Sequence, residues 1–381
     1  MKMPTDAIRE EISQSGAISF ARFMELALYC PETGYYEKKK DNVGRAGDFI
    51  TSVSAGSLFG ELLAFQFAEW LGEMRSAGCE VRIAEAGAHD GKLARDILNW
   101  LQIHRPELFS ELEYVILEPS LRRQQWQRET LGSFATRVRW FTGFQSIAAG
   151  TPHSALRAPQ FDGVLFSNEL LDAFPVRRLG WDARGKKWFE WGVALASEKF
   201  VWKKIAVRPC EADLPSSIRH LPSALLEVLP DGYTIETSPA AENWWRAAAG
   251  ILARGKLLAI DYGFTSEEQF SPSRLKGTLR AYHRHHATDD LLANPGEQDL
   301  TAHVNFTAIQ KAGEAAGLTT DLFSTQPQFL TRILQKAVAE KTFSDWNAPR
   351  ARQFQTLTHP EHLGRAFRVL AQSKYNSRRV D

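Results

Sequence analysis

Val81-Arg82-Ile83-Ala84-Glu85-Ala86-Gly87-Ala88-His89-Asp90-Gly91 is the stretch on which the fold turns. Val81, Ile83 and Ala84 are small or branched apolar residues closing on an acid, Glu85, and predict a buried strand. The glycines from Gly87 to Gly91 predict a tight turn. Residues 92–100 then predict a helix whose apolar side is Leu93, Ile97, Leu98 and Trp100. A buried strand entering a helix through glycines forms a cradle for a nucleotide-type ligand, because glycine lets the backbone approach closely. Spacing and charge narrow the ligand. The dinucleotide fingerprint G-x-G-x-x-G sets a pyrophosphate on the helix start, whereas here Gly87 and Gly91 enclose His89. Glu85 and Asp90 would repel a pyrophosphate. They suit a ligand carrying an ammonium and a sulfonium, which describes S-adenosylmethionine. The plain alternative is an ordinary strand-to-helix turn.

Working outward, residues 114–117 predict a second strand ending at Glu118. In a doubly wound sheet the acid ending that strand hydrogen-bonds the ligand's ribose hydroxyls; a surface acid at a strand end is the alternative. Residues 161–166 predict a strand running into Ser167-Asn168-Glu169-Leu170-Leu171-Asp172. Ligands bind at the carboxyl ends of central strands in open α/β sheets, so Asn168 and Glu169 are the best-placed catalytic candidates. Glu169 and Asp172 are three apart and would share a face on a helical turn. Paired carboxylates offer a guanidinium forked recognition. Simple helix capping by Asn168 and Asp172 accounts for the same pattern. Further strands are predicted at 138–141, 255–260, 319–324 and 367–371.

Before the cradle, Ser19 predicts an N-cap for an apolar helix. Gly47-Asp48-Phe49-Ile50-Thr51-Ser52 is a polar loop ahead of a helix at about 58–70, and reads equally as a closing loop or a capping turn. After it, residues 176–250 change texture. Trp181, Trp188, Trp191 and Trp202 alternate with polar residues around Asp182-Ala183-Arg184-Gly185, a hairpin pattern that interrupts the strand-helix alternation. Residues 277–303 predict a long loop acting as a lid. His283, His285 and His286 lack ligand spacing, so no metal site is expected.

Composition excludes several classes. The chain has 381 residues, 44% hydrophobic and 24% charged, with a net charge of +1. No basic surplus argues for nucleic acid. Three widely spaced cysteines argue against a disulfide framework or zinc and fit a reducing compartment. Asp6, Glu10 and Glu11 suit neither a signal nor a transit peptide, and no apolar run reaches the length of a membrane span. The expected location is cytoplasmic.

The chain resembles the MidA family, class I S-adenosylmethionine-dependent methyltransferases that include the mitochondrial complex I assembly arginine methyltransferase. The resemblance rests on Ile18-Ser19-Phe20, Tyr29 and Pro31 with Gly34-Tyr35-Tyr36, and Gly47-Asp48-Phe49-Ile50-Thr51-Ser52. It continues through Glu85, Gly87, Gly91, Glu118, Asn168-Glu169 with Asp172, Asp261-Tyr262-Gly263, Gly277-Thr278-Leu279, Tyr282 and Asp299. The chain departs from the family pattern at His89, which stands for a middle glycine, and at Val53, Ser54 and Asn305. The resemblance implies an α/β, Rossmann-like class I methyltransferase fold with a seven-stranded, mostly parallel sheet. An N-terminal helical segment (1–80) would precede a core of 81–175 and 251–381, with an inserted α+β subdomain at 176–250. Together with the residue readings, it places Gly47, Asp48, Phe49, Thr51, Glu85, Gly87, His89, Gly91, Glu118 and Asn168 at the cofactor. Asn168, Glu169, Asp172 and Tyr282 would act on the substrate. It implies methylation of arginine on a protein, in the family a respiratory-complex subunit, and leaves a homodimer open. Two other classes stay open: a non-catalytic assembly factor working by contact, which His89 favours, and a nucleotide-dependent oxidoreductase, which the glycine spacing opposes.

Overall fold

A computed structural model describes residues 2–38, 51–76, 81–149, 161–207, 218, 221–283, 286–343 and 346–375. The apolar stretches pair into one large sheet. Its strands in chain order are β1 Arg82–Ala86, β2 Glu113–Leu117, β3 Val138–Phe141, β4 Phe161–Asn168, β5 Leu252–Phe264, β6 Thr319–Thr325 and β7 Phe367–Tyr375. Their spatial order is β6-β7-β5-β4-β1-β2-β3. Strands β1 to β5 run parallel, and β7 is antiparallel to both of its neighbours. The two-residue strand Val304–Asn305 adds an eighth member beside β5. This is the predicted mostly parallel α/β sheet.

Both faces of that sheet are covered, as parallel strands require. Alternation along each strand sends Ile83, Tyr114, Ile116, Val164 and Phe166 to one face, against helices Leu58–Ser76 and Lys92–His104. Ala84, Val115, Leu165, Leu257 and Ala259 go to the other, against helices Pro239–Ile251 and Phe306–Ala315. Trp245 is fully buried there, and its indole N–H donates to Gln372 Oε1 at 2.7 Å. Helix Pro239–Ile251 therefore packs on the large sheet, although the sequence places it in the inserted segment; its Trp244-Trp245 pair resembles the strand tryptophans before it, and only packing separates them.

A second, smaller layer forms a cap. Strands Arg177–Asp182, Lys187–Ala196, Lys199–Ala206 and Thr234–Thr237 make an antiparallel sheet, completed by Ile18–Ser19 from the N-terminal segment. Ser19 caps helix Phe20–Tyr29, accepting from Arg22 N at 3.2 Å. That helix buries Phe20, Phe23 and Met24 in a third cluster with Val193, Leu279, Ala281 and Leu300. The segment read as a lid loop is instead a small three-stranded sheet, Arg280–His283, His286–Thr288 and Asp299–Thr301. Its apolar residues are too sparse to show a two-residue period in the sequence. They become core only because the N-terminal helix covers them.

Candidate functional site

In the sheet, β1 lies between β2 and β4, where the order of connections reverses. A crevice opens at the carboxyl ends of such a pair. Here it is a cavity of about 590 Å³. Its sheet-side wall holds Glu85, the glycine turn, Glu118, Asn168 and Glu169; Tyr29, Tyr36 and Thr51 close it from the cap side.

The turn after β1 takes left-handed backbone at Gly87 (φ 75°), His89 (φ 44°) and Gly91 (φ 86°). At Gly87 a Cβ would stand 2.9 Å from the Leu170 side chain, and at Gly91 3.2 Å from Gln127 Cα. Both glycines are thus fixed by close approach as well as by φ. His89 takes the conformation a glycine would take, with its carbonyl accepting from Gln127 Nε2 at 3.1 Å. Its Nδ1 is 3.9 Å from Asp90 Oδ1. Asp90 is buried, which raises its carboxyl, but His89 and Lys92 outweigh burial and hold it well below the usual range. Lys92 contributes both its backbone N–H (3.1 Å) and its ammonium (2.7 Å).

Glu85, the residue before the last of β1, is almost wholly buried. Burial pushes its carboxyl up to about 8, opposed by the hydrogen bond that Tyr114 O–H donates at 2.6 Å. Glu118 follows β2. Its Oε1 accepts from Ser120 N at 2.9 Å and its Oε2 from Gln127 Nε2 at 3.2 Å, while Arg123 lies 3.1 Å away. Burial raises this carboxyl as well, and Arg123 is the strongest opposing influence.

Asn168 is the last residue of β4, and Glu169 turns out of the strand with a left-handed φ of 49°. Buried Asp261, on β5, fixes this turn: its carboxylate accepts from the backbone N–H of Leu170 (3.1 Å), Leu171 (2.8 Å) and Tyr262 (2.8 Å). Glu169 Oε1 accepts from Ser52 N at 3.0 Å and from Asn168 Nδ2 at 3.1 Å. Glu169 Oε2 and Asn168 Oδ1 are shielded from solvent and have no donor among the described residues. Buried acceptors without donors are costly, and these two border the cavity. Burial also lifts the Glu169 carboxyl to about 8.

The structure separates the residues singled out in the sequence. Thr51, Glu85, Gly87, His89, Glu118, Asn168 and Glu169 all line the cavity. Gly91 lies behind it, opening helix Lys92–His104. Gly47, Asp48 and Phe49 fall outside the described residues. Thr51 both lines the cavity and caps a turn, since its Oγ1 accepts from Ser54 N at 3.1 Å. Asp172 does not share a face with Glu169, because the left-handed Glu169 breaks the helical path and a 3-10 turn, Leu171–Ala173, follows. Asp172 is buried beside Asp261 and Asp299, which together with burial hold its carboxyl well above the usual range, and it does not border the cavity. Tyr282 pairs with Asp299 across the small sheet and does not border it either.

The sequence reading gave no individual role to Tyr29, Tyr36, Arg123 or Asp261, and Ser52 entered only as the end of the loop read as closing or capping. An acid directly after the apolar run predicted as a strand at 255–260 was a usable signal for Asp261, which lies within β5. Tyr29 O–H donates to the Ala173 carbonyl at 2.9 Å and Tyr36 O–H to Asp299 Oδ1 at 2.8 Å. Contacts across so many residues leave no local pattern.

The acid-rich lining, the glycine cradle and the two donorless acceptors suit a cationic ligand. Residues 62–324 match the family model described as "Putative S-adenosyl-L-methionine-dependent methyltransferase". The chain belongs to this methyltransferase family. It is also 34% identical to a COG1565 superfamily protein of Burkholderia thailandensis crystallised with S-adenosyl-homocysteine, with a TM-score of 0.81 over 97% of this chain and 92% of that one. Among curated relatives, the Drosophila melanogaster protein arginine methyltransferase NDUFAF7 homolog, mitochondrial, is 29% identical over 96% of this chain and 83% of its own length. The Homo sapiens protein arginine methyltransferase NDUFAF7, mitochondrial, is 26% identical over 95% and 81%. The resemblance to the MidA family is thereby borne out, and the cofactor of this methyltransferase is S-adenosyl-L-methionine. The expectation of a cytoplasmic location is corrected: these relatives are mitochondrial by name. No helix among the described residues is long and apolar enough to cross a membrane.

Proposed function

We propose that this methyltransferase acts on arginine side chains of a protein substrate. The observation that carries the reading is the pair of acceptors without a donor among the described residues, Glu169 Oε2 and Asn168 Oδ1, bordering the cavity beside the cofactor cradle. A guanidinium presents several N–H donors in a rigid fork and satisfies two such acceptors at once. The names of the curated relatives support the same substrate class.

On this reading Glu85 and the turn from Gly87 to Gly91 hold the amino-acid portion of S-adenosylmethionine, and Glu118 its ribose. The cofactor supplies a methyl group already activated on a sulfonium. Glu169 holds the acceptor guanidinium in line, and Ser52 N and Asn168 Nδ2 fix the carboxylate that does so. Arginine stays protonated in water. A carboxylate that burial has made more basic both stabilises the guanidinium and takes up a proton as the methylated product forms. His89 was the residue favouring a non-catalytic role, and its left-handed backbone leaves the turn in a shape glycine would give.

The test is to incubate the enzyme with labelled S-adenosylmethionine and peptides carrying arginine or lysine at one position, then identify the methylated residue by mass spectrometry. Label on arginine is expected. Glu169→Gln should lower the rate by roughly 10²–10³-fold while S-adenosyl-homocysteine affinity stays within about tenfold. Label confined to another residue type, or undiminished turnover in Glu169→Gln, defeats the reading.

A further inference from the structure

Glu118 is almost completely buried, and a buried carboxylate needs a counter-charge to stay ionised. That charge comes from Arg123, in the first turn of the following helix, Leu121–Leu131, with its guanidinium largely shielded from solvent. Arg123 is held in turn from outside the large sheet. Its Nη2 lies 3.1 Å from Glu118 and 3.7 Å from Glu37, a residue of the short helix Tyr35–Lys38 in the N-terminal segment. Glu37 has two further links to the same loop. Its Oε2 accepts from Ser120 Oγ at 2.8 Å, and its backbone carbonyl accepts from Arg122 Nη1 at 2.7 Å. Ser120 also donates its backbone N–H to Glu118.

We propose that Arg123 is a positioning residue for the cofactor, held in place by Glu37, so that the N-terminal segment is part of the cofactor site. Arg123 keeps Glu118 charged and aimed at the cavity, and Glu37 keeps Arg123 over Glu118. The alternative role for Glu37 is purely repulsive, since a second carboxylate near Glu118 opposes its ionisation. The two roles predict opposite signs. If Glu37 mainly repels, neutralising it tightens cofactor binding; if it mainly positions Arg123, neutralising it weakens binding. The geometry favours positioning, because three separate contacts tie Glu37 to the residues around Glu118. The inference rests on the reading of Glu118 as the ribose-binding acid.

Calorimetric titration with S-adenosyl-homocysteine, with melting temperature measured alongside, tests both levels. Glu118→Ala and Arg123→Leu should each weaken binding by at least about tenfold. Arg123→Lys restores the charge and should return affinity to within about threefold of the native protein, which a purely structural role of the arginine would not allow. Glu37→Gln keeps an acceptor for Ser120 but loses the charge, and should weaken binding about threefold without moving the melting temperature. Unchanged affinity in Glu118→Ala overturns the ribose assignment itself. Loss in Glu118→Ala with no loss in Arg123→Leu, no rescue by Arg123→Lys, or unchanged or tighter binding in Glu37→Gln overturns this inference alone. Should Arg123→Leu fail to fold, the lysine and glutamine variants decide it.

Discussion

One wall of the cavity is drawn from the carboxyl ends of β1, β2 and β4, neighbours in a single sheet; the other is drawn from helix Phe20–Tyr29, helix Tyr35–Lys38 and the turn at Thr51. On the sheet wall, acids are set by backbone pairing. Ala86 pairs with Leu117 on one side and Ser167 on the other, so Gly87, Glu118 and Asn168 leave the sheet level with one another, with Glu85 two positions back, without any side chain arranging it. On the cap wall, position comes from side chains reaching across the chain: Tyr29 to the Ala173 carbonyl, Tyr36 to Asp299, and Arg123 between Glu37 and Glu118. A ladder of backbone hydrogen bonds tolerates substitution; single side-chain ties do not. The cap is therefore the wall whose position individual side chains fix.

Four experiments bear on that contrast. The largest effect is expected on the sheet wall, where Glu118→Ala should lower S-adenosyl-homocysteine affinity at least about tenfold, read by calorimetry. An unchanged affinity would mean the level strand ends do not make the ribose site. On the cap wall, Tyr36→Phe removes a donor from buried Asp299 and should cost about 1–3 kcal/mol of stability, measured by denaturant unfolding. A smaller loss would show that the cap is held by its apolar cluster and not by its polar ties.

The third experiment is a pH series on the ligand-free protein. Glu85 and Glu169 have carboxyls raised to about 8 in the fold, against an ordinary value of 4.5. Folding therefore favours their protonated forms. Their contribution is complete below about pH 4.5 and is lost as pH rises through about 8. The melting temperature should fall across that window, and Glu85→Gln or Glu169→Gln should flatten the fall. A native profile that is level across the window would show that neither carboxyl is perturbed. The smallest effect belongs to His89→Gly. Left-handed backbone strains a histidine and not a glycine, but the change also removes the imidazole beside Asp90. The two oppose, so cofactor affinity should move by less than about tenfold; a larger gain would show the imidazole obstructing the cradle.

The amino-acid sequence by itself determined the sheet and its ligand-facing acids. Short apolar runs ending in an acid have one way to be buried on both faces, and the acids at their carboxyl ends then face the crevice; Glu85, Glu118 and Glu169 were legible on those grounds. The glycines at 87 and 91 were legible because few other residues take their backbone angles. Only tertiary structure decided what lies opposite. Asp172 looked equivalent to Glu169 until a left-handed residue between strand and turn sent one carboxyl to the cavity and buried the other. Tyr282 was singled out from a polar stretch that folds as a small sheet, where it pairs with Asp299 and does not border the cavity. Tyr36 and Asp299 are separated by most of the chain, and Arg123 gains its role only when Glu37 is laid against it. Local spacing encodes what neighbours in sequence do together; the cap is built from pairs that become neighbours only after the chain has folded.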